Sequence, residues 1–488
     1  MKKWKSSRLR RDCMKELKMY KRIIFRVLTV VCFGGIVFGA EGFEHKELVS
    51  NPTFKAAETE QLPAVWSVWR PVWDKAACRF KSVGEGLLVE AADPYAVGGL
   101  VQEIKDIKPG QAYTVKAICR LRNVPTPYQS ILVRVSWTRR GKLLHPAGML
   151  VRGPVLEPPP YLRMGSITAR VNVWASFEDV LVAPEAADGA QLSLEVKWPG
   201  GGSVIWKQAS LQATSQPGPR KVKVGTVYLR PRNSTPENNL KLWCEQIDAA
   251  GKLGLDIVCL GETITIVGTD CSVKDCAEPI PGPATRRLAE AAKRNRIWVV
   301  AGLTERVDDV VYNTAVLLDR QGRIAGKYRK VHLPREEWKN GVRPGGEYPV
   351  FETDFGKVAI QICYDWFFPE PAAIFALKGA EIIFAPTWGN TLPDEAGRVD
   401  GESVFRVRAR DNGVYMVPSV YDGNSLVIDP MGRILACSGG KEGVFWAEID
   451  LSARENLEWV GYWRSIGPRH RMVESYGPLL EAPQGSTY

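Results

Sequence analysis

The chain has 488 residues, 45% hydrophobic and 24% charged, a length for two or three domains and a composition that excludes wholesale disorder. Its net charge of +11 is concentrated at one end: residues 1–26 hold eleven Lys or Arg against two acids, which leaves the other 462 residues at about +2. No basic stripe remains on the body of the chain, so no nucleic-acid partner is expected.

Residues 27–40, VLTVVCFGGIVFGA, are uncharged and follow this basic stretch. Fourteen residues suit the apolar segment of a secretory signal, whereas a membrane span needs roughly 20. Small residues end the run at Gly39 and Ala40, where cleavage is expected. Residues 1–40 therefore read as a signal peptide or an uncleaved N-terminal anchor, with Met19 as an alternative start. No second long apolar run occurs, which excludes a polytopic membrane protein. The expected location is export, periplasmic or extracellular, or attachment to a membrane by the uncleaved segment. Export permits disulfides. Cys271 and Cys276, in TDCSVKDCAE, could pair, and so could Cys78 and Cys119; reduced, partly buried thiols are the equal alternative. The histidines are scattered and there is no CxxC or HExxH, so no metal site is expected.

Residues 46–212 contain short alternating stretches, among them YTVKAICRLRNV, SILVRVSWT and AQLSLEVKW, separated by the turns KPGQ, RRGK and PGGG. This spacing predicts an all-β, antiparallel sandwich domain. Trp66, Trp69, Trp73, Trp137, Trp174, Trp198 and Trp206 fall here, either as core between the sheets or as exposed platforms that stack on sugar rings. Residues 213–220, ATSQPGPR, read as a linker.

From residue 221 the texture changes. VKVGTVYL is a strand, and NNLKLWCEQIDAAGKLG an amphipathic helix with Leu240, Trp243, Ile247 and Ala250 on one face. DIVCLGE is a strand, PATRRLAEAAKRNR a helix and IWVVAGL a strand. Strand–helix–strand alternation predicts an α/β layered domain over 221–476, followed by a tail, 477–488. The strand DIVCL ends in Gly261-Glu262-Thr263, a basic cluster reads Tyr328-Arg329-Lys330-Val331-His332, and the strand KVAIQIC ends in Cys363-Tyr364-Asp365. Sites in α/β layers form at the carboxyl ends of strands. A carboxylate, a lysine and a cysteine meeting there make a coherent chemistry: the carboxylate takes the thiol proton, the thiolate attacks, and the lysine steadies the oxyanion.

The stretch from Lys221 to about Arg471 resembles the nitrilase (carbon–nitrogen hydrolase) superfamily. The strand-end GET, then YNTAVLLDRQGRIAGKYRKVHLP (312–334) and GKVAIQICYDWFFPE (356–370), resemble the family's three catalytic blocks; APTWGN, RARDNGVYMV and SLVIDPMGRILA follow in the family's order. Arg408, Asp411 and Asn412 match a block that usually carries Glu at the position of Asp411. The resemblance implies a four-layer α-β-β-α sandwich, with Cys363 as nucleophile, Glu262 as general base and Lys330 beside the oxyanion. It also implies Glu337, or alternatively Glu336, as a second glutamate orienting Lys330, and the Tyr364 backbone N–H as an oxyanion donor. Trp388 either lines the pocket or packs. His332 is expected to serve packing and hydrogen bonding, and Asp365 and Glu370 to fix the turn after the nucleophile.

The implied reaction is hydrolysis of a linear amide or N-carbamoyl amine through a Cys acyl-enzyme, with no metal or organic cofactor. Nitrile hydrolysis and acyl transfer by the same three residues are alternatives. So is a glycan- or surface-binding protein whose hydrolase domain is inactive. The family implies a homo-oligomer. The early NPTF, the scattered Trp and the late SVIWKQASLQA loosely resemble jelly-roll carbohydrate-binding modules, which implies a glycan partner for the N-terminal domain.

Overall fold

The computed structural model describes residues 46–56, 61–157, 171–389, 400–454 and 457–481. The leader and the alternative start lie outside them, as do residues 482–488 of the tail. Among the described residues no helix is long and apolar enough to cross a membrane.

The alternating stretches of the N-terminal region form two six-stranded antiparallel sheets. One runs in the order Ser67–Trp69, Val97–Lys105, Gly189–Lys197, Ile131–Arg139, Lys142–Leu143, with Met149–Leu150 also paired to Ile131–Arg139. The other runs Arg79–Val83, Gly86–Glu90, Ser203–Thr214, Ala112–Arg122, Val171–Val182, Val155–Glu157. Successive side chains of a strand point to opposite faces. Along Ala112–Arg122, accordingly, Tyr113, Val115, Ala117, Cys119 and Leu121 are buried while Lys116 and Arg122 are exposed. These residues join Leu100, Val133, Val135, Leu192 and Leu194 of the first sheet in one apolar core. Trp66, Trp137 and Trp206 belong to that core, whereas Trp69, Trp73 and Trp174 are exposed.

For Cys78 and Cys119 the reduced alternative holds, and the linker begins later than expected. Cys78 and Cys119 are free, each packed among apolar side chains of this core, where burial pushes the Cys78 thiol up to about 11 and Cys119 higher still. The strand Ser203–Thr214 also runs into the segment expected as linker, because Gln212, Ala213 and Thr214 pair with Thr114, Tyr113 and Ala112; the irregular connection is 215–220. Cys271 and Cys276 do form a disulfide.

The α/β region has two further six-stranded sheets. The first is ordered Ile324–Arg329, Val310–Leu318, Trp298–Val307, Ile257–Cys259, Lys221–Tyr228, Gly443–Asp450, and the second Val350–Glu352, Lys357–Ile360, Ile382–Gly389, Tyr415–Asp422, Leu426–Ile428, Ile434–Cys437. Three adjacent inner strands of each run parallel, in the stretches Val224–Thr226, Ile257–Cys259 and Trp298–Val300, and from Lys357–Ile360 through Ile382–Gly389 to Tyr415–Asp422. Both faces of the first sheet are covered. Ile257, Cys259, Val300, Ala315 and Leu317 pack with Val358, Ile360, Ile383 and Phe384 of the second sheet. Their neighbours Val258, Leu260, Val299, Val316 and Leu318 pack with the helices Pro236–Lys252 and Pro283–Asn295. Burial on both faces explains why these strands read as continuous apolar runs rather than alternating ones. Thr235 caps the first helix by accepting from the Asn238 N–H, and Leu240, Trp243, Ile247 and Ala250 form its buried face.

The chain then returns to the N-terminal sheets. Ile466 packs with Leu132 and Leu150. The Arg469 guanidinium, buried and with no carboxylate partner among the described residues, donates to the carbonyls of Val151, Gly153 and Tyr128. The Arg454 guanidinium lies 3.0 Å from the buried Asp179 carboxylate.

Candidate active site

Three strand ends supply the site. Ile257–Cys259 leads through Leu260 and Gly261 to Glu262, the edge strand Ile324–Arg329 ends one residue before Lys330, and Lys357–Ile360 leads through Ile362 to Cys363. The approach of the strands at Glu262 is close: a Cβ on Gly302 would lie 2.7 Å from the Glu262 Cα and 2.8 Å from the Gly261 carbonyl, so only glycine fits there. The Tyr421 hydroxyl donates to the Glu262 carbonyl at 2.6 Å and ties the turn to the second sheet.

Cys363 opens a short 3-10 helix, Cys363–Phe367, with φ of 40°. A non-glycine residue in this region is strained and persists only where its surroundings over-determine it. Asp365 supplies that restraint. Its buried carboxylate accepts from the Ile362 N–H at 2.9 Å, the Tyr328 hydroxyl at 2.7 Å, and the His332 backbone N–H and Nδ1 at 3.0 and 2.9 Å. His332 stacks on Phe368 with ring centroids 4.1 Å apart, and Tyr364 packs against Phe367 and Phe368. Glu370 is exposed in the first turn of the following helix, Pro369–Leu377, and the structure gives it no part in that restraint.

Glu262 and Lys330 are buried and paired, Nζ to Oε1 at 2.9 Å. Glu337 reaches the same ammonium from the helix Arg335–Lys339, at 2.8 Å, while Glu336 is exposed beside it. Burial opposes the charge of Lys330, but Glu262, Cys363 and Glu337 outweigh it and raise its pKa. Burial raises the pKa of Glu337, against the pull of Lys330. The partly exposed Cys363 thiol hydrogen-bonds to Glu262 and receives the backbone N–H of Trp388. Burial first, and Glu262 second, push it up to about 12, against Lys330 and the Trp388 N–H, which pull it down. The resting sulfur is therefore a neutral thiol with a carboxylate alongside it, an arrangement in which proton transfer accompanies attack.

Sequence reading missed Asn313. Its Nδ2 donates to Glu262 Oε1 at 2.7 Å and to Glu337 Oε1 at 2.5 Å. A buried polar residue inside the apolar strand YNTAVLL was the available signal. Trp388, partly exposed, meets Tyr421 edge-on and borders a cavity of about 700 Å³ lined also by Arg230, Arg232, Ser234, Thr269 and Asp270. The Cys271–Cys276 disulfide directly follows this wall. Among the described residues no group of three or more His, Cys, Asp or Glu could hold a metal ion.

The carbon–nitrogen hydrolase family profile matches residues 223–458. The chain is 36% identical over 245 residues to a nitrilase of Pyrococcus abyssi, covering 47% of this chain and 90% of that protein. It is 32% identical over 239 residues to the omega-amidase NIT2 of Mus musculus, covering 45% and 85%. Among solved structures, the carbon–nitrogen hydrolase of Helicobacter pylori G27 aligns at 25% identity with a TM-score of 0.46, over 54% of this chain and 99% of that one. With a sequence match that spans nearly the whole of such relatives, the chain belongs to the carbon–nitrogen hydrolase family of the nitrilase superfamily and is an enzyme that hydrolyses carbon–nitrogen bonds.

Proposed function

We propose that the enzyme hydrolyses a linear amide or N-carbamoyl amine through a Cys363 acyl-enzyme. The observation that carries this reading is the buried Glu262–Lys330 pair beside a thiol held at positive φ. Glu262 takes the proton of Cys363 as the sulfur attacks the carbonyl carbon. The C=O electron pair moves to oxygen, and Lys330 and the Tyr364 N–H stabilise that oxyanion. As the second residue of its helix, Tyr364 has an amide in the turn where no intrahelical carbonyl is available. Each such donor typically contributes about 2.7–4 kcal/mol to lowering the barrier. The C–N bond breaks, and ammonia or an amine leaves with the proton from Glu262. Glu262 then draws a proton from water, whose oxygen attacks the thioester and releases the acid and the thiol. Glu337 and Asn313 hold Lys330 and Glu262 in place.

The amide reading is supported by the omega-amidase relative. Ammonia release from a panel of short and ω-amides, N-carbamoyl amines and nitriles, with wild type beside Cys363→Ala, tests it. Release by wild type alone, fastest with amides, is expected; release by the variant overturns the role of Cys363.

The proposal extends to the rest of the chain. The facing sheets of the α/β region with helices outside them are read as a four-layer α-β-β-α sandwich over about 221–476. The N-terminal sheets are read as a β-sandwich domain whose exposed tryptophans take a glycan. Residues 1–40 are proposed to direct export or anchor the enzyme at a membrane, and the enzyme is proposed to act as a homo-oligomer. Pull-down on insoluble polysaccharides, sequencing of the mature N-terminus and sedimentation test these three.

A further inference from the structure

We infer that Asn313 gives the two oxygens of Glu262 separate tasks, anchoring Oε1 and leaving Oε2 as the atom that takes the thiol proton. The inference rests on the reading of Glu262 as general base and carries it to the level of a single atom. Glu262 Oε1 accepts two hydrogen bonds, from Lys330 Nζ at 2.9 Å and from Asn313 Nδ2 at 2.7 Å. Glu262 Oε2 is buried and accepts no hydrogen bond. An ionised carboxylate accepts only, and its proton affinity is lowest at the oxygen already holding donors. The inference assigns proton transfer to the remaining oxygen, from the Cys363 thiol that lies beside the Glu262 carboxylate.

The two donors arrive together because of strand register. Thr314 pairs with Arg329, and the Lys330 N–H donates to the Asn313 carbonyl at 2.9 Å, so Asn313, within Val310–Leu318, lies beside Lys330 at the end of the adjacent strand. The second hydrogen of the same amide goes to Glu337 Oε1 at 2.5 Å. One neutral side chain thus donates to both carboxylates that share Lys330. Turning the amide over would set its oxygen against both, so the donor orientation is the one the charges permit. Neither aspartate, which brings a third carboxylate, nor leucine, which has no donor, does the same.

Asn313 is therefore a positioning residue. Donors to a carboxylate favour its ionised form, so losing them raises the pH at which Glu262 becomes competent. The test follows kcat/KM against pH for wild type, Asn313→Leu and Asn313→Asp, with Glu262→Gln as reference. The acid limb is expected to move up by about one pH unit in the leucine variant and further in the aspartate variant. The kcat should fall about tenfold to hundredfold while KM changes little. Iodoacetamide labelling of Cys363 at pH values below the shifted limb should slow about tenfold in both. An acid limb that stays in place in folded Asn313→Leu overturns the inference. If the leucine variant does not fold, the near-isosteric aspartate variant decides alone: a limb moved upward supports the inference and an unmoved one overturns it. Full turnover by Glu262→Gln overturns both this assignment and the reading of Glu262 as base. An inactive Glu262→Gln together with an unmoved limb overturns the Asn313 assignment only.

Discussion

The core between the N-terminal sheets is apolar from Leu87 to Trp206, and among the described residues its one buried carboxylate, Asp179, is met by Arg152 and by Arg454 from the far end of the chain. In the α/β region Glu262, Lys330 and Asp365 are all buried, Glu337 nearly so, and each is held by neighbours from a different strand or helix. The buried carboxylate of the N-terminal region is shared between its own Arg152 and Arg454 from the α/β region. The α/β region buries charge in several places, Glu305 with Lys327 and Arg329 among them, and one of these clusters lies beside the Cys363 thiol. Burial strengthens electrostatic interactions and makes an unpaired charge costly, so such a cluster is worth its desolvation where chemistry uses it. The N-terminal sheets carry their distinctive groups, the exposed Trp69, Trp73 and Trp174, on the surface instead.

Several substitutions sharpen or break this contrast. Cys363→Ala is expected to lower turnover by about 10⁴-fold or more, with little change in the thermal midpoint, and ammonia release read beside a melting curve checks both. Trp206→Ala empties a fully buried site and should cost about 3–5 kcal/mol in urea unfolding, while Trp73→Ala, at 74% exposure, should stay within about 0.5 kcal/mol. Equal effects would mean that the two tryptophan classes are not distinct. Arg454→Ala removes one of the two guanidiniums from buried Asp179; because Arg152 stays and Arg454 is partly exposed, a loss of about 1–2 kcal/mol is expected. A single unfolding transition that splits in two on this change would show that the contact couples the regions.

The last expected effect is in alkali. The Cys363 thiol is raised from 9.0 to about 12, so between those values the unfolded chain has released a proton that the folded one retains. Stability then falls as pH rises through that window, by on the order of 1 kcal/mol per pH unit for this thiol, and Cys363→Ala should reduce the slope, while the raised thiols of Cys78 and Cys119 keep part of it. An unchanged slope in the variant would assign the alkaline loss to other groups, such as Lys330, whose pKa is also raised.

Much of the α/β region was legible because its strands and helices are set by local pattern. The helix face of Leu240, Trp243, Ile247 and Ala250 lies buried as its spacing predicts, and Glu262, Lys330 and Cys363 stand at strand ends. Glu337 is the better match by pattern and the adjacent Glu336 the alternative; the turn of the helix Arg335–Lys339 points Glu337 at Lys330 and leaves Glu336 exposed. The tryptophans were counted but not sorted, because burial depends on which face of a strand each occupies. Cys78 and Cys119 offered a pairing by number alone, and packing in an apolar core keeps both as thiols.

By itself the sequence determined the family, the order of strands and helices, and the residue types able to perform the chemistry, since these follow from periodicity and from motifs contiguous in the chain. Only tertiary structure decided that Asn313 bridges two carboxylates 51 and 24 residues away, that Asp365 holds Tyr328 and His332 around the Cys363 turn, and that Arg454 and Arg469 return to the N-terminal sheets. The reason is physical: hydrogen-bond partners are set by strand register and sheet packing, which bring together residues that no local pattern relates.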